Sequence, residues 1–368
     1  MNYLCGMKLT LQIKLLPDKD QSELLLKTMK EANNACNAIS EIAFTKRMYN
    51  QFRLQKEVYY LIKESFQLSA QMVIRCISKV ADAYKKDRNS RRDFKPLGAI
   101  TYDSRIMNYK PNNIVSLWAI GGRLNIPFVC HNAKYLPYVK GEGDLVTRKG
   151  KFYLFQTVEV PEEDVPDIEE FIGVDFGQTD IAVTNDGKCY SSDELRKVRK
   201  KYSKVRASVQ SKGTKGSKKL LKRLSGKERR FVSITNHTIA KQIVAQAKQQ
   251  GKGIAIEDLT HIRKTAKPKS KANKTELNRW SFYQLRQFLT YKALLNGVKL
   301  VVIPPAYTSQ NCHVCNHIGI RKGKHFRCEN CGNIMDADIN AAHNIATWGC
   351  IVGHPEKPSM LYCSVHSA

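Results

Sequence analysis

The chain has 368 residues, 42% of them hydrophobic and 26% charged, enough to bury a sizeable core in two or three modules. Its 61 lysines and arginines stand against 33 acidic residues, and the resulting charge of +28 exceeds what solubility needs and calls for a polyanionic partner. No apolar run approaches a membrane span, and residues 1–16 alternate apolar with polar side chains where a secretory leader has an apolar block, so a cytoplasmic protein with no membrane partner is expected. Eleven cysteines in such a chain imply a reducing compartment, with free thiols outside the paired set described below.

Residues 7–16 alternate as a half-buried strand does, and Pro17-Asp18 stops it. Leu25, Met29, Ala32, Cys36, Ile39 and Ala43 then recur at steps of four and three, the stripe of an amphipathic helix, and Val73, Ile77, Val80 and Tyr84 form a second stripe. Residues 18–86 are therefore read as a small helical bundle, with Asn33, Asn34 and Asn37 on a polar face that is either solvated or turned toward nucleic-acid edges. A basic turn over 87–96 ends it. From 100 to 160, short strand-like runs broken by glycine and proline, among them 114–118 and 151–158, predict a β-barrel that includes the first strand and carries the helices as an insertion. The acidic, proline-bearing stretch 161–167 separates this half from the next.

Residues 171–175, FIGVD, form a short apolar run that delivers Asp175 at the tip of a buried strand, and 253–257, GIAIE, repeats the design with Glu257. Carboxylates so placed are costly to desolvate unless a cation or partner meets them, which favours a site. Between them, Asn185-Asp186-Gly187 signals a hairpin. Residues 196–230 carry many lysines and arginines with Glu228 the only acid; they read as a basic helical hairpin following a phosphate backbone, with disorder as the alternative. An amphipathic helix over 234–250, a lysine-rich loop over 261–274 and a buried strand within 297–305 follow.

Cys312 with Cys315, and Cys328 with Cys331, form two CxxC pairs, each able to grip a tetrahedral metal from its own turn. Four thiolates leave no open position for water, so the implied ion is one structural Zn2+. Chance clustering or two disulfides is the alternative, and regular spacing suits it poorly. Beyond the pairs, Asp336 is placed to cap a helix and Asp338 to lie in its first turn, where a lone Asp is ordinarily a cap or a dipole partner. Cys350, His354, Cys363 and His366 in the tail are either metal ligands or, with their irregular spacing, part of a loose end.

IGVDFG, IAIEDL and DADINAAHNIA resemble the three split parts of a RuvC-type nuclease, and PAYTSQNCHVC followed by CENCG resembles the zinc ribbon that interrupts it in the TnpB (OrfB) transposon-encoded family, related to compact type V CRISPR effectors. One departure is Cys315-Asn316-His317, where the family's first knuckle has glycine after the second cysteine. The resemblance implies an α/β fold: a split RuvC (RNase H-like) domain with an inserted zinc ribbon, preceded by a wedge β-barrel carrying a helical recognition insertion. It divides the chain into wedge 1–17 and 91–166, recognition module 18–90, nuclease 167–311 and 332–347, ribbon 312–331 and tail 348–368. It further implies an Mg2+-dependent, RNA-guided DNA endonuclease in which Asp175, Glu257 and Asp338 are the catalytic residues and hold two Mg2+ ions. The partners are then a guide RNA and double-stranded target DNA with a short adjacent motif, and the protein is nucleoid-associated when bound to DNA. A nuclease-silent RNA-guided DNA-binding regulator and a conventional transposase are the alternatives.

Overall fold

The chain divides into two units, 1–161 and 162–368. The structure, a computed structural model, describes residues 7–161, 163, 165–166, 168–262, 266 and 270–353. In the first unit, β1 (Met7–Leu15) is followed by α1 (Lys19–Thr45), α2 (Gln51–Ser65) and α3 (Ala70–Lys86), and then by β2 (Ile100–Tyr102), β3 (Met107–Lys110), β4 (Ile114–Ala119), β5 (Gly122–Cys130), β6 (Val139–Arg148) and β7 (Lys151–Val160). The strands form one antiparallel sheet in the order β2-β6-β7-β1-β5-β4-β3, so β1 lies mid-sheet and the helices are an insertion after it. The Tyr102 hydroxyl on edge strand β2 donates to the Trp118 carbonyl on β4 at 2.9 Å, and the sheet is a near-closed barrel.

Asp18 starts α1 with a capping box, accepting from the Gln21 amide at 2.8 Å. The two apolar stripes bury as expected, with Leu25, Met29, Cys36 and Ile39 as fully hidden as Val73, Ile77, Val80 and Tyr84. The asparagine face behaves differently. Asn33 is buried and donates to the Gly98 carbonyl at 3.0 Å, while Asn37 accepts from the Phe94 amide at 2.7 Å and returns a bond to its carbonyl at 3.0 Å. Residues 94–98 lie between α3 and β2 with no strand beside them, so these side chains supply the partners their backbone lacks. Asn34 is left exposed.

The second unit holds a five-stranded sheet built from β8 (Phe171–Asp175), β9 (Asp180–Thr184), β10 (Cys189–Ser191), β11 (Gly253–Glu257) and β12 (Leu300–Ile303), in the order β10-β9-β8-β11-β12. β8 to β10 are antiparallel, and β8, β11 and β12 are parallel. This is the RNase H-like arrangement expected from the split motifs. The basic stretch after β10 is helical: α4 (Asp193–Ser211) and α5 (Lys215–Leu224) form the hairpin, and α6 (Lys227–Gln250) begins seven residues before the expected helix, then ends on left-handed Gly251. The expected loop at 261–274 lies partly outside the described residues, and its last part belongs to α7 (Lys271–Arg279), ahead of α8 (Phe282–Leu294). Three short strands, β13 (Ile320–Lys322), β14 (His325–Arg327) and β15 (Ile334–Asp336), lead into α9 (Ala337–Gly353). α9 runs past the expected end of the nuclease part: Cys350 is a buried core residue beside Ile168, Phe171 and Ile345, while His354, Cys363 and His366 lie outside the described residues.

Strand alternation sorts the sheet's two faces. Ile172, Val174, Ile254 and Ile256 pack against α6 and α8 through Ile239, Ile243, Leu285 and Leu289. Phe171, Gly173 and Ala255 face the other way, toward α9. Contact there is close enough that a Cβ on Gly173 would stand 1.9 Å from the Ala342 carbonyl oxygen and 2.5 Å from the Ala346 nitrogen. Gly173→Ala is expected to force helix and sheet apart and to destabilise the second unit by about 3 kcal/mol or more, as severe overpacking does; urea unfolding followed by circular dichroism measures it.

Candidate active site and metal centre

The same alternation decides where the acids point. Asp175 and Glu257 follow Gly173 and Ala255 by two residues, so both side chains lie on the α9 face at the C-terminal ends of adjacent parallel strands. Asp338 is the second residue of α9, whose start is held by Asp336: one carboxylate oxygen accepts from the Asp338 amide at 2.8 Å and the Ile339 amide at 3.2 Å. The cap fixes the helix's first turn, and contact with Gly173 fixes the helix against β8.

Asp175 feels the other two carboxylates. Burial first, and then the charges of Glu257 and Asp338, push Asp175 up to about 8. Glu257, 8% exposed, is raised by burial against a hydrogen bond donated by the Thr308 hydroxyl, and Asp338 is raised by burial against the neighbouring Arg321 guanidinium. Oxygen donors that resist being charged together are what a hard divalent cation relieves, so these residues fit Mg2+. They are not drawn as tight as a filled site: among the described residues, the four cysteines are the one group of three or more acidic, histidine or cysteine side chains gathered around a single point.

That cysteine group is compact. The ligand atoms of Cys312, Cys315, Cys328 and Cys331 all lie within 4.8 Å of one another. Cys312 to Cys331 is 3.6 Å and Cys315 to Cys328 is 3.5 Å, far beyond a disulfide bond and close to the edge of about 3.8 Å that a Zn–S tetrahedron requires. The departure at the first knuckle has a backbone explanation. Asn316 adopts φ 59°, and Gly332, after the second pair, adopts φ 75°. Each knuckle needs a left-handed residue after its second cysteine, a conformation in which asparagine is the best tolerated substitute for glycine. α9 also holds the ribbon's entry, since Asn340 and Asn344 both donate to the Asn311 carbonyl at 2.7 Å and Asn340 accepts from the His313 amide at 3.0 Å.

Four residues at this site carry no sequence signal of their own. Arg321 on β13 donates to Asp338 at 2.7 Å. Lys324, in the turn between β13 and β14, pairs with Asp180, a buried carboxylate at the start of β9. Thr308 binds Glu257. The run IRKGKHFR has no period that marks these roles, and only the fold turns two of its cations onto Asp338 and Asp180. Lys324 is correspondingly raised, by Asp180 first and by Asp338 and Asp336 at longer range.

Two family profiles match this chain: the Cas12f1-like TNB domain over residues 282–345 and a probable transposase (OrfB) family over 155–265. Over these segments the chain resembles the TnpB (OrfB) group. The TnpB-like protein MJ0751 of Methanocaldococcus jannaschii is 32% identical over 169 residues, covering 45% of this chain and 61% of its own. The CRISPR-associated endodeoxyribonuclease Cas12f1 of Sulfoacidibacillus thermotolerans is 33% identical over 220 residues, 54% of this chain and 50% of its own. Escherichia coli InsQ, a putative RNA-guided DNA endonuclease, is 28% identical over 221 residues, 54% of each chain. The TnpB-like chain thus spans between half and about three fifths of these relatives' lengths. Among solved structures, the Cas12f1 chain of a Cas12f1–sgRNA–target DNA complex superposes with a TM-score of 0.61 at 17% identity, covering 89% of this chain and 83% of its own, a likeness of fold.

If the cysteine cluster holds zinc, Cys328→Ser should lose it, because Cys328 is fully buried beside Phe326 and a serine oxygen replaces a thiolate the ion needs. The expected outcome is less than half of the wild-type zinc by elemental analysis, with a lower folded yield.

Proposed function

We infer that this TnpB-like chain is a transposon-encoded, RNA-guided DNA endonuclease that cuts target DNA beside a short recognised motif, using Asp175, Glu257 and Asp338 to hold two Mg2+ ions. The observation that supports the reading is that buried Glu257 and Asp338 lie close enough to half-buried Asp175, at the open end of an RNase H-like sheet, to help push it up to about 8. The names of the relatives supply the substrate class. Asp175, Glu257 and Asp338 would hold these ions, and the chemistry supplied there would be activation of a water and stabilisation of the leaving oxygen of a phosphodiester.

The chain's own residues have separable tasks in this reading. Thr308 orients Glu257, and Asp336 sets the helix turn that presents Asp338. Arg321 neutralises the cluster from the ribbon side and offers a guanidinium fork to a phosphate held there. The first unit and the basic hairpin α4–α5 grip guide and target through their backbones, while base pairing selects the sequence. The zinc is structural and keeps the ribbon hairpin rigid enough to deliver Arg321.

Asp175→Ala, Glu257→Ala and Asp338→Ala should each lose nearly as much cleavage as the triple variant, on the order of 10³-fold or more, because residues acting as one unit are not additive. Guide and target binding should survive. Mg2+-dependent cleavage of guide-matched DNA beside a binding assay reads both; wild-type protein that binds guided DNA and never cuts it is a regulator, and full cutting by Asp338→Ala removes that residue from the site.

The pH dependence has a definite sign. The fold holds the Asp175 proton more tightly than the unfolded chain does, where the ordinary value is 3.8, so metal-free protein loses stability as pH rises from there through about 8. A cation competes with that proton. Mg2+ affinity, read as the metal concentration for half-maximal cleavage, should therefore rise with pH and level off above about 8, and Asp175→Asn should reduce the pH-dependent loss of thermal stability, leaving the smaller part that raised Glu257 and Asp338 contribute.

A further inference from the structure

Away from the carboxylates, on the α6–α8 face of the second unit, lies a cleft of about 1000 Å³, at the upper end of small-ligand sites. Its walls come from α4, the α5–α6 turn and the α7–α8 junction, and they carry Arg199, Arg206, Arg229 and Arg279 against a single acid, Glu228. Glu228 pairs with Arg206 and approaches the Arg199 Nε at 4.0 Å, which leaves Arg229 and Arg279 without an acidic partner among the described residues. Leu224 and Trp280 add apolar surface between the charges. Trp280 is braced from behind by Phe282, with ring centroids 4.9 Å apart.

Beside that ring the polar groups are preset. Buried Asn236 donates its amide to the Ser281 hydroxyl oxygen and the Gln284 carbonyl oxygen, both at 3.0 Å. With those acceptor atoms engaged, the Ser281 hydroxyl hydrogen and the Gln284 amide group are left to donate, and both residues line the cleft. Unpaired cations, a braced aromatic ring and oriented neutral donors together match an unstacked nucleotide, whose phosphate, base face and sugar hydroxyl need one each. A duplex hides its base faces, and DNA lacks the 2′-hydroxyl.

We propose that this cleft binds an unpaired stretch of RNA, with a base against Trp280, phosphates on Arg229 and Arg279, and the 2′-hydroxyl taken by Ser281 or Gln284. The assignment deepens the RNA partner of the preceding section and rests on it. The probe is a single-stranded oligouridine carrying 5-bromouridine, photocrosslinked to the full-length protein, with crosslinks mapped by mass spectrometry; oligothymidine and duplex RNA of equal length run beside it. The expected crosslink is at Trp280 or in the adjoining 278–284 peptide, with oligouridine affinity falling about tenfold in the double variant Arg229→Ala/Arg279→Ala and less in Lys218→Ala/Lys219→Ala, which lies outside the cleft. Both arginines are exposed, so the double variant tests the cleft without disturbing the core on which Trp280 packs. Equal binding and crosslinking of oligothymidine, crosslinks confined elsewhere, or unchanged affinity in the arginine variant would each overturn the cleft while leaving RNA-guided cleavage standing. Wild-type protein that binds no RNA at all overturns both readings.

Discussion

Everything at the carboxylate site depends on one backbone contact, between β8 at Gly173 and α9 at Ala342 and Ala346. A side chain there would push the helix back, since even a Cβ would stand 1.9 Å from the Ala342 carbonyl oxygen, and Asp338 would move with it. The alanines of α9 answer the glycine: Ala341, Ala342 and Ala346 are buried, and they let helix backbone approach sheet backbone. Asn340 and Asn344 on the same helix reach the ribbon's entry, so about two turns of helix position the Asp338 carboxylate, pack the sheet and anchor the ribbon.

Gathering acids in a dry place has an electrostatic cost, and the ribbon meets part of it. Arg321 and Lys324 sit at one hairpin tip and face Asp338 and Asp180. Like charges brought together out of water repel strongly, and a cation on a separate element can be supplied or withdrawn without rebuilding the sheet. This gives the cysteine cluster a reason to sit where it does. An ion held by the four cysteines would cross-link a short, sparsely cored subdomain in which Phe326 is the main buried apolar side chain, and would hold the hairpin bearing both cations.

The first unit shows the same economy with neutral groups. Asn33 and Asn37 spend their amides on the 94–98 segment, and Lys79 reaches both the Asn33 side chain at 2.6 Å and the Ala99 carbonyl at 2.8 Å. A connection with no strand partner is thereby tied to α1 and delivered to β2. Polar residues on a helix face bordering such a segment are structural before they are available to any ligand.

The period of the apolar residues determined the elements, because strand and helix repeats are local: β1, the stripes of α1 and α3, and the runs ending in Asp175 and Glu257 were legible before any packing was known. So were the cysteine pairs, since two CxxC turns carry their geometry within a few residues. Tertiary structure alone decided what lies between elements distant in the chain. No local pattern could tell that Asn33 faces inward, that the helix continues past Trp348 and buries Cys350, or that Arg321, Lys324 and Thr308 attend the acids, because a lone cation or hydroxyl has no periodicity and its partner is set by which surfaces the core brings together. The convergence of the carboxylates is intermediate: strand parity puts Asp175 and Glu257 on one face, but which face is covered by α9, and hence whether Asp338 joins them, follows from a helix seated on a glycine.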